Sequence, residues 1–105
     1  MTAALAARET SQDAIALTFA PMLDVARDPR WGRMAECAGE DPFVPLLYAQ
    51  AKVRGFQGKG PNWTARDQVV AACAKHFAGY GAAEGGRMNP FQRLAATVAG
   101  WVRRT

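Results

Sequence analysis

FAPMLDVARDPRWGRMAECAGEDP, residues 19–42, is the stretch that decides the fold. It begins at the end of an apolar run, continues as a loop rich in Pro, Arg and Gly, and ends in Asp41-Pro42. That pair predicts the start of a helix. An Asp N-cap accepts a hydrogen bond from the first turn, and Pro fits the first helical position because an N–H there would have no helical partner. A strand, a long loop and a helix in this order are typical of an α/β fold.

Two elements are predicted before the loop. Residues 2–12 are rich in Ala and predict a surface helix, with Ala3, Leu5 and Ala7 near its inner side. Residues 14–23, AIALTFAPML, are apolar and predict a strand buried on both faces, as in a parallel sheet. Pro21 lacks an N–H, so regular pairing should weaken there.

The loop itself is long. It extends from Val25 to Gly39, and loops of more than about 12 residues in compact domains are usually functional. The helix after Asp41-Pro42 is expected to end at Gly55, since Gly often follows the last helical residue. Its predicted apolar stripe consists of Val44, Leu47, Tyr48 and Ala51.

The second half repeats the order of elements. Thr64–Asp67 fits a capping box and predicts one short helical turn. Residues 69–77, VVAACAKHF, predict a second buried strand that ends in Lys75-His76. A Gly-rich loop follows, and residues 90–105 predict a helical tail.

Strands that alternate with helices imply a parallel sheet with right-handed crossovers. Two parallel strands are too few for a stable sheet, because each needs cover on both faces. We therefore expect an α/β fold of about two parallel strands with flanking helices, which would form part of a larger α/β structure.

Composition excludes several classes of function. The 105 residues carry a formal charge of +4, but the basic residues form no block or recognised motif, so no nucleic-acid partner is expected. No apolar run approaches the roughly 20 residues that span a bilayer, and the N-terminus lacks the pattern of an export signal. The compartment is therefore not indicated.

Cofactor and metal sites are not expected either. No Gly-rich stretch has the spacing of a nucleotide fingerprint, and the chain has one His with no nearby ligand partner. Cys37 and Cys73 lie far apart, outside any CxxC pair, which favours buried free thiols and leaves a disulfide open.

Polar residues follow both predicted strands, where α/β barrels place their active sites. They suit a hydroxyl-rich substrate or an anion, and they are Asp24, Arg27, Asp28, Arg30, Arg33, Lys75 and His76. The alternative for Arg30 and Arg33 is an ion pair with Asp28 or Glu36 that fixes the loop. His76 could equally be a satisfied core residue. The loop tryptophans, Trp31 and Trp63, could stack on sugars or simply pack between helices.

Three segments together carry a family resemblance. The opening stretch, then AKVRGFQG at 51–58, then AACAKHFAGYGAAEGGR at 71–87 closely resemble the N-terminal barrel domain of glycoside hydrolase family 3, in particular its bacterial periplasmic-type β-glucosidases. The resemblance covers residues 2–87. It implies part of a (β/α)8 TIM barrel and retaining hydrolysis of β-glucosides, which needs a nucleophile and an acid about 5–5.5 Å apart.

The resemblance also implies site residues. Arg33, Lys75 and His76 match the family's glycone-binding positions, so a small carbohydrate is the expected partner. The family's nucleophile is an Asp in a Ser-Asp-Trp type motif, and no Asp precedes a Trp here; its acid/base Glu comes from further along the chain. We therefore assign no catalytic residue and expect the isolated chain to be inactive. The alternative is a non-catalytic carbohydrate-binding or structural fragment that self-associates through exposed strand edges.

The last residues depart from the family. Family members continue with an Asp-Tyr-Asn type segment, whereas this chain continues as RMNPFQRLAATVAGWVRRT from Arg87. We expect residues 1–87 to be the barrel fragment and 88–105 to be a non-matching tail, either frameshifted or helical.

Overall fold

Helix α1 spans Thr2–Gln12 in the computed structural model of the chain, which describes residues 2–58 and 69–87. The predicted bounds are confirmed. Ala3 and Ala7 are buried, one helical turn apart. Leu5, expected on the inner side, is instead 56% exposed, because residues two positions apart face different sides of a helix.

The sheet consists of strands β1, Leu17–Thr18, and β2, Ala71–Ala72, which pair in parallel. Leu17 lies opposite Ala71 and Thr18 opposite Ala72. The parallel pairing is confirmed, but the predicted strands at 14–23 and 69–77 are too long, and Leu17 is exposed rather than buried. Regular pairing stops before Pro21, as its missing N–H predicts. Met22 and Lys75 then form an isolated parallel bridge.

Helix α2 spans Phe43–Gln57. Asp41 Oδ1 accepts a 2.9 Å hydrogen bond from the backbone N–H of Phe43, which confirms the predicted N-cap. The predicted end at Gly55 is wrong, because this glycine lies inside the helix where α1 approaches. A Cβ there would be 2.6 Å from the Cβ of Ala3. The helix ends instead before Gly58, whose φ of 74° is the left-handed conformation common after helices.

The predicted apolar stripe of α2 is open to solvent. Phe43, Val44, Leu46 and Leu47 are between 46% and 60% exposed, and Pro45 is the buried residue of this helix. Val44 and Leu47 of the predicted stripe are thus exposed. Periodicity identifies an apolar face of a helix, but it does not say which element covers that face.

The chain divides into two compact units. The first comprises described residues of 1–21 and 47–74, and includes α1 and both strands. The second comprises those of 22–46 and 75–105. Its core contains Met22, Ala26, Trp31 and Ala83, with Met34 and Cys37 packed against them. The predicted loop from 25 to 39 thus has its own core, and it includes a short 3₁₀ turn at Met34–Glu36.

Several other expectations can be compared with the structure. Across the residues placed at 2–58 and 69–87, no helix is both long and apolar enough to cross a membrane. Cys37 and Cys73 are free and half-buried, so no disulfide joins them. The helical turn at 64–67, Trp63 and the tail at 88–105 lie outside the described residues.

Candidate functional site

His76 lies at the centre of the polar cluster in the second unit. Its Nδ1 atom is 2.7 Å from Oδ2 of Asp24, although the two residues are 52 positions apart. The Asp24 side chain is 2% exposed and the His76 side chain 29% exposed. The polar groups that follow the two predicted strands therefore meet in space, as expected. Asp24 is buried with a hydrogen-bond partner, which is the usual condition for a buried carboxylate.

Arg33 lies on the other side of the His76 ring. Its Nη1 atom is 3.3 Å from Nε2 of His76. Its Nε and Nη2 atoms donate to the two Glu36 oxygens at 2.7 and 2.6 Å. The ion pair with Glu36, one of the two alternatives for Arg33, is thus present. It leaves Nη1 directed at His76, so the ion pair and the contact with His76 occur together.

Aromatic rings pack against Arg33 and His76. The Arg33 guanidinium lies 5.5 Å from the ring centroid of Tyr80, and the Tyr80 ring is 4.5 Å from that of His76. Trp31 meets Tyr80 edge to face, with centroids 5.2 Å apart. Trp31 is 6% exposed, which agrees with the packing alternative and leaves no face free for a sugar. Tyr80 connects the core of the unit to the polar cluster.

The loop that carries Tyr80 approaches Asp24 closely. The 3₁₀ turn Tyr80–Ala82 contains Gly81, and a Cβ on Gly81 would lie 2.6 Å from the Val25 carbonyl oxygen and 3.0 Å from Asp24 Cβ. Real side chains do not tolerate such a distance to backbone. Glycine at this position therefore allows the loop to rest against Asp24.

The ion pairs change the pKa values of their members. Hydrogen bonds from Arg33 lower the pKa of the Glu36 carboxyl, and the positive charges of Arg33 and Lys75 lower it further. Hydrogen bonding to Glu36, with a smaller contribution from Tyr80, raises the pKa of Arg33. Burial raises the pKa of the Cys37 thiol, and the Asp24 charge adds to this. Arg33 is therefore a permanent cation beside His76.

Arg30 has a different role from Arg33. Its Nη2 atom donates to Asp28 Oδ2 at 2.7 Å, and Asp28 also accepts a 2.6 Å bond from the Gly85 backbone N–H. The hydrogen bonds from the Arg30 side chain, then from the N–H of Gly85, lower the pKa of Asp28 far below its usual range. The loop-fixing alternative is the observed one for Arg30, which is 73% exposed in its side chain.

Lys75 belongs to the same unit but contacts the cluster differently. Its backbone carbonyl accepts a 2.7 Å hydrogen bond from the Leu23 N–H, which fixes the end of the second predicted strand beside the first. The positive charge of its side chain lowers the pKa of the Glu36 carboxyl. The three predicted binding residues thus lie in one cluster, with Arg33 and His76 in direct contact.

A cavity of about 280 Å³ opens beside Asp24 and His76. Pockets of roughly 300 Å³ and above hold small ligands, so it is at the lower end of that range. The residues that line it are polar, apolar and small, namely Leu23, Asp24, Val25, Arg27, His76, Ala78, Gly79, Gly81 and Ala82. Arg33 and Lys75 are not part of this lining.

Tyr80 received no role from the sequence, and Asp24, a candidate site residue, was not paired with His76. Tyr80 gave no signal beyond its place in a Gly-rich loop. Asp24 is the first polar residue after the apolar run of 14–23, and His76 ends the second apolar run. Since parallel strands end at the same edge of a sheet, that symmetry could have predicted the pair.

The chain matches a known protein family over most of its length. The family model described as glycosyl hydrolase family 3 N terminal domain matches residues 1–96. A periplasmic beta-glucosidase of Salmonella typhimurium is 45% identical over 83 residues, which are 79% of this chain and 10% of the relative. Beta-D-xylosidase 1 of Arabidopsis thaliana is 45% identical over 62 residues, 59% of this chain and 8% of the relative. The chain spans about a tenth of the length of these relatives.

Solved structures are similar over most of the chain. A beta-glucosidase from Listeria innocua superposes with a TM-score of 0.76 at 41% identity, over 93% of this chain and 16% of that one. The structure of that enzyme in complex with glucose superposes with a TM-score of 0.75 at 49% identity. The match covers 80% of this chain and 12% of that one. The predicted fold, part of an α/β barrel with two parallel strands and flanking helices, is confirmed. The boundary expected at Arg87 stays a prediction.

Proposed function

Since this chain belongs to glycosyl hydrolase family 3, we propose that it carries part of the glycone-binding site of a β-glucosidase-type hydrolase. Such an enzyme would release terminal β-D-glucosyl residues with retention of configuration. The observation that carries the proposal is the 3.3 Å contact between Arg33 and His76, which are 43 positions apart. Two residues that match the family's sugar-binding positions thus form one surface.

The chemistry of this surface suits a sugar. Sugar hydroxyls both donate and accept hydrogen bonds. Arg33 is a fixed donor in a planar fork, and His76 adds a ring nitrogen beside it. Glu36 holds the guanidinium through two hydrogen bonds, so little side-chain freedom is lost when a ligand binds. Fixed groups of this kind hold the ring and strengthen as the oxocarbenium-like transition state forms.

The carboxylates of this cluster do not suit the nucleophile or the acid. Asp24 is 2% exposed in its side chain and its carboxylate is occupied by His76, which does not suit a nucleophile. Glu36 is held in a two-point ion pair with Arg33, and its lowered pKa opposes a role as acid. We therefore propose that both catalytic carboxylates come from residues outside this sequence, and that the isolated chain binds without turnover.

A chromogenic β-glucoside assay with the purified 105-residue chain tests the catalytic part. We expect no release of chromophore above a buffer blank. Turnover by the chain that disappears in a Lys75→Ala variant would show that these residues suffice for catalysis, and the proposal would then be wrong.

Binding is tested separately with cellobiose. Titration calorimetry should detect binding, and chromatography should recover the disaccharide intact. Arg33→Ala should weaken binding about tenfold or more, because hydrogen bonds from a charged group are each worth about 1.5–3 kcal/mol. Arg30→Ala is the matched control, since Arg30 points to Asp28 and not to His76. Equal loss in both variants would contradict a subsite at Arg33.

A second candidate function rests on the exposed face of α2. Phe43 is 60% exposed, and Leu46 and Leu47 are 52% and 51% exposed. Neighbouring apolar residues of this size on one helix favour association. We propose as the alternative a non-catalytic carbohydrate-binding or structural fragment that self-associates.

A further inference from the structure

The two ring nitrogens of His76 face partners of opposite character. Nδ1 is 2.7 Å from the Asp24 carboxylate, which can only accept a hydrogen bond when ionised. Nε2 is 3.3 Å from Nη1 of Arg33, and a guanidinium can only donate. One nitrogen therefore meets an acceptor and the other meets a donor.

Only one form of the imidazole satisfies both contacts. A neutral ring with its proton on Nδ1 donates to Asp24 and accepts from Arg33. A ring protonated on Nε2 would place a donor against the Arg33 donor and leave Asp24 without a proton to accept. Hydrogen positions follow from the partners in such networks, and here the partners agree.

We infer that Asp24 is a positioning residue that holds the Nδ1–H tautomer of His76, so that Nε2 is a hydrogen-bond acceptor beside Arg33. Asp24 acts through His76, because its own side chain is 2% exposed and its carboxylate lies against the His76 ring. Gly81 supports it, since any Cβ there would press on Asp24 Cβ at 3.0 Å.

The consequence for a ligand rests on the proposed function. A hydroxyl group placed between the two side chains would donate its proton to Nε2 of His76 and accept one from Arg33. The site would then require a group that both donates and accepts, as a sugar hydroxyl does. A ligand with an ether or fluorine at the same position would lose the bond to His76.

The tautomer can be measured directly because His76 is the only histidine of the chain. Long-range 15N–1H correlation spectra of the 15N-labelled full chain give the shifts of both ring nitrogens without an assignment problem. The spectrum is recorded in mildly alkaline buffer. We expect Nδ1 to be the protonated nitrogen. A spectrum with the proton on Nε2 would overturn the inference, whatever any variant does.

Asp24→Asn tests whether Asp24 is the cause. A neutral amide is a weaker acceptor than a carboxylate, so the two 15N shifts should move toward each other as the Nε2–H form becomes populated. Asp28→Asn is the matched control on the same loop, because Asp28 contacts Arg30 and Gly85, and its spectrum should equal that of the unaltered chain. An unchanged spectrum in a folded Asp24→Asn variant would refute the positioning role.

Glucose binding separates this inference from the proposed function. We expect Asp24→Asn to weaken glucose binding about fivefold, the usual effect of one hydrogen bond, and Asp28→Asn to stay within about twofold. If the unaltered chain has the Nδ1–H tautomer but binds no glucose, the proposed function fails while the role of Asp24 stands. If Asp24→Asn and Asp28→Asn bind glucose with equal affinity, the tautomer of His76 has no part in binding. The inferred role of Nε2 in ligand binding would then be wrong.

Discussion

Asp28 Oδ2 accepts a 2.6 Å hydrogen bond from the backbone N–H of Gly85, which lies 57 positions later in the chain. The same carboxylate receives two side-chain bonds from Arg30, at Nε and Nη2. The Asp28 side chain, 13% exposed, thus joins the long loop after the first strand to the turn after Tyr80. The link stabilises the unit, whereas the contacts among Arg33, His76 and Tyr80 do not include Asp28.

This link predicts how stability depends on pH. The pKa of Asp28 is lower in the folded chain than in the unfolded one, because of its hydrogen bonds from Arg30 and Gly85. Its stabilising contribution is therefore fully present above the ordinary Asp pKa of about 3.9. It is lost as the pH falls below that value toward the folded pKa. The Glu36 pKa is also lowered, so its contribution changes in the same direction.

Urea unfolding followed by circular dichroism between about pH 7 and pH 2 measures the effect. The unaltered chain should lose free energy of unfolding below about pH 4. Asp28→Asn should be less stable near neutral pH and show a shallower acid decline. If the two curves fall in parallel, Asp28 has no shifted pKa in the folded chain.

Trp31 is predicted to be the main stabilising side chain of the second unit. It is 6% exposed and packs against Tyr80 with ring centroids 5.2 Å apart. Trp31→Ala should reduce the free energy of unfolding by about 3–5 kcal/mol, as large-to-small core substitutions do. Phe77→Ala is the aromatic control, because Phe77 is 77% exposed, and it should change stability by less than about 0.5 kcal/mol. Similar losses in both variants would show that Trp31 is not part of a core.

The sequence predicted the elements of this fold better than their packing. Local signals act over a few residues, so the N-cap at Asp41 and the bounds of α1 were found correctly. The lengths of the two strands were predicted wrongly, because pairing depends on the partner strand and on where Pro21 interrupts it. Gly55 resembled a helix end, whereas its lack of a side chain serves the contact with Ala3.

The same distinction applies to the candidate site. Arg33 and His76 were identified through the family resemblance, and the structure brings them together. Asp24 was a candidate polar residue but was not paired with His76, since nothing local shows that its partner lies 52 positions away. Contacts over such distances in sequence depend on which segments the fold brings together.

Self-association is predicted from α2. Leu47 is 51% exposed, and we expect sedimentation velocity to show species larger than a monomer at micromolar concentration. Leu47→Glu should shift the distribution toward the monomer, because a buried charge opposes association. Lys52→Gln makes the same change in net charge on the other side of the helix from Leu47, since five residues place it about 140° around the helix axis, and should have little effect. A monomeric unaltered chain would refute the second candidate function.

A glucose titration followed at the ring nitrogens of His76 tests whether Arg33 and His76 bind a sugar. We expect a saturable change in the His76 15N shifts of the unaltered chain. The change should persist in Arg30→Ala and be lost or weakened at least about tenfold in Arg33→Ala. A folded chain whose His76 shifts do not change up to high glucose concentration, or an equal response in both variants, would contradict the assignment of Arg33 and His76 to a sugar-binding site.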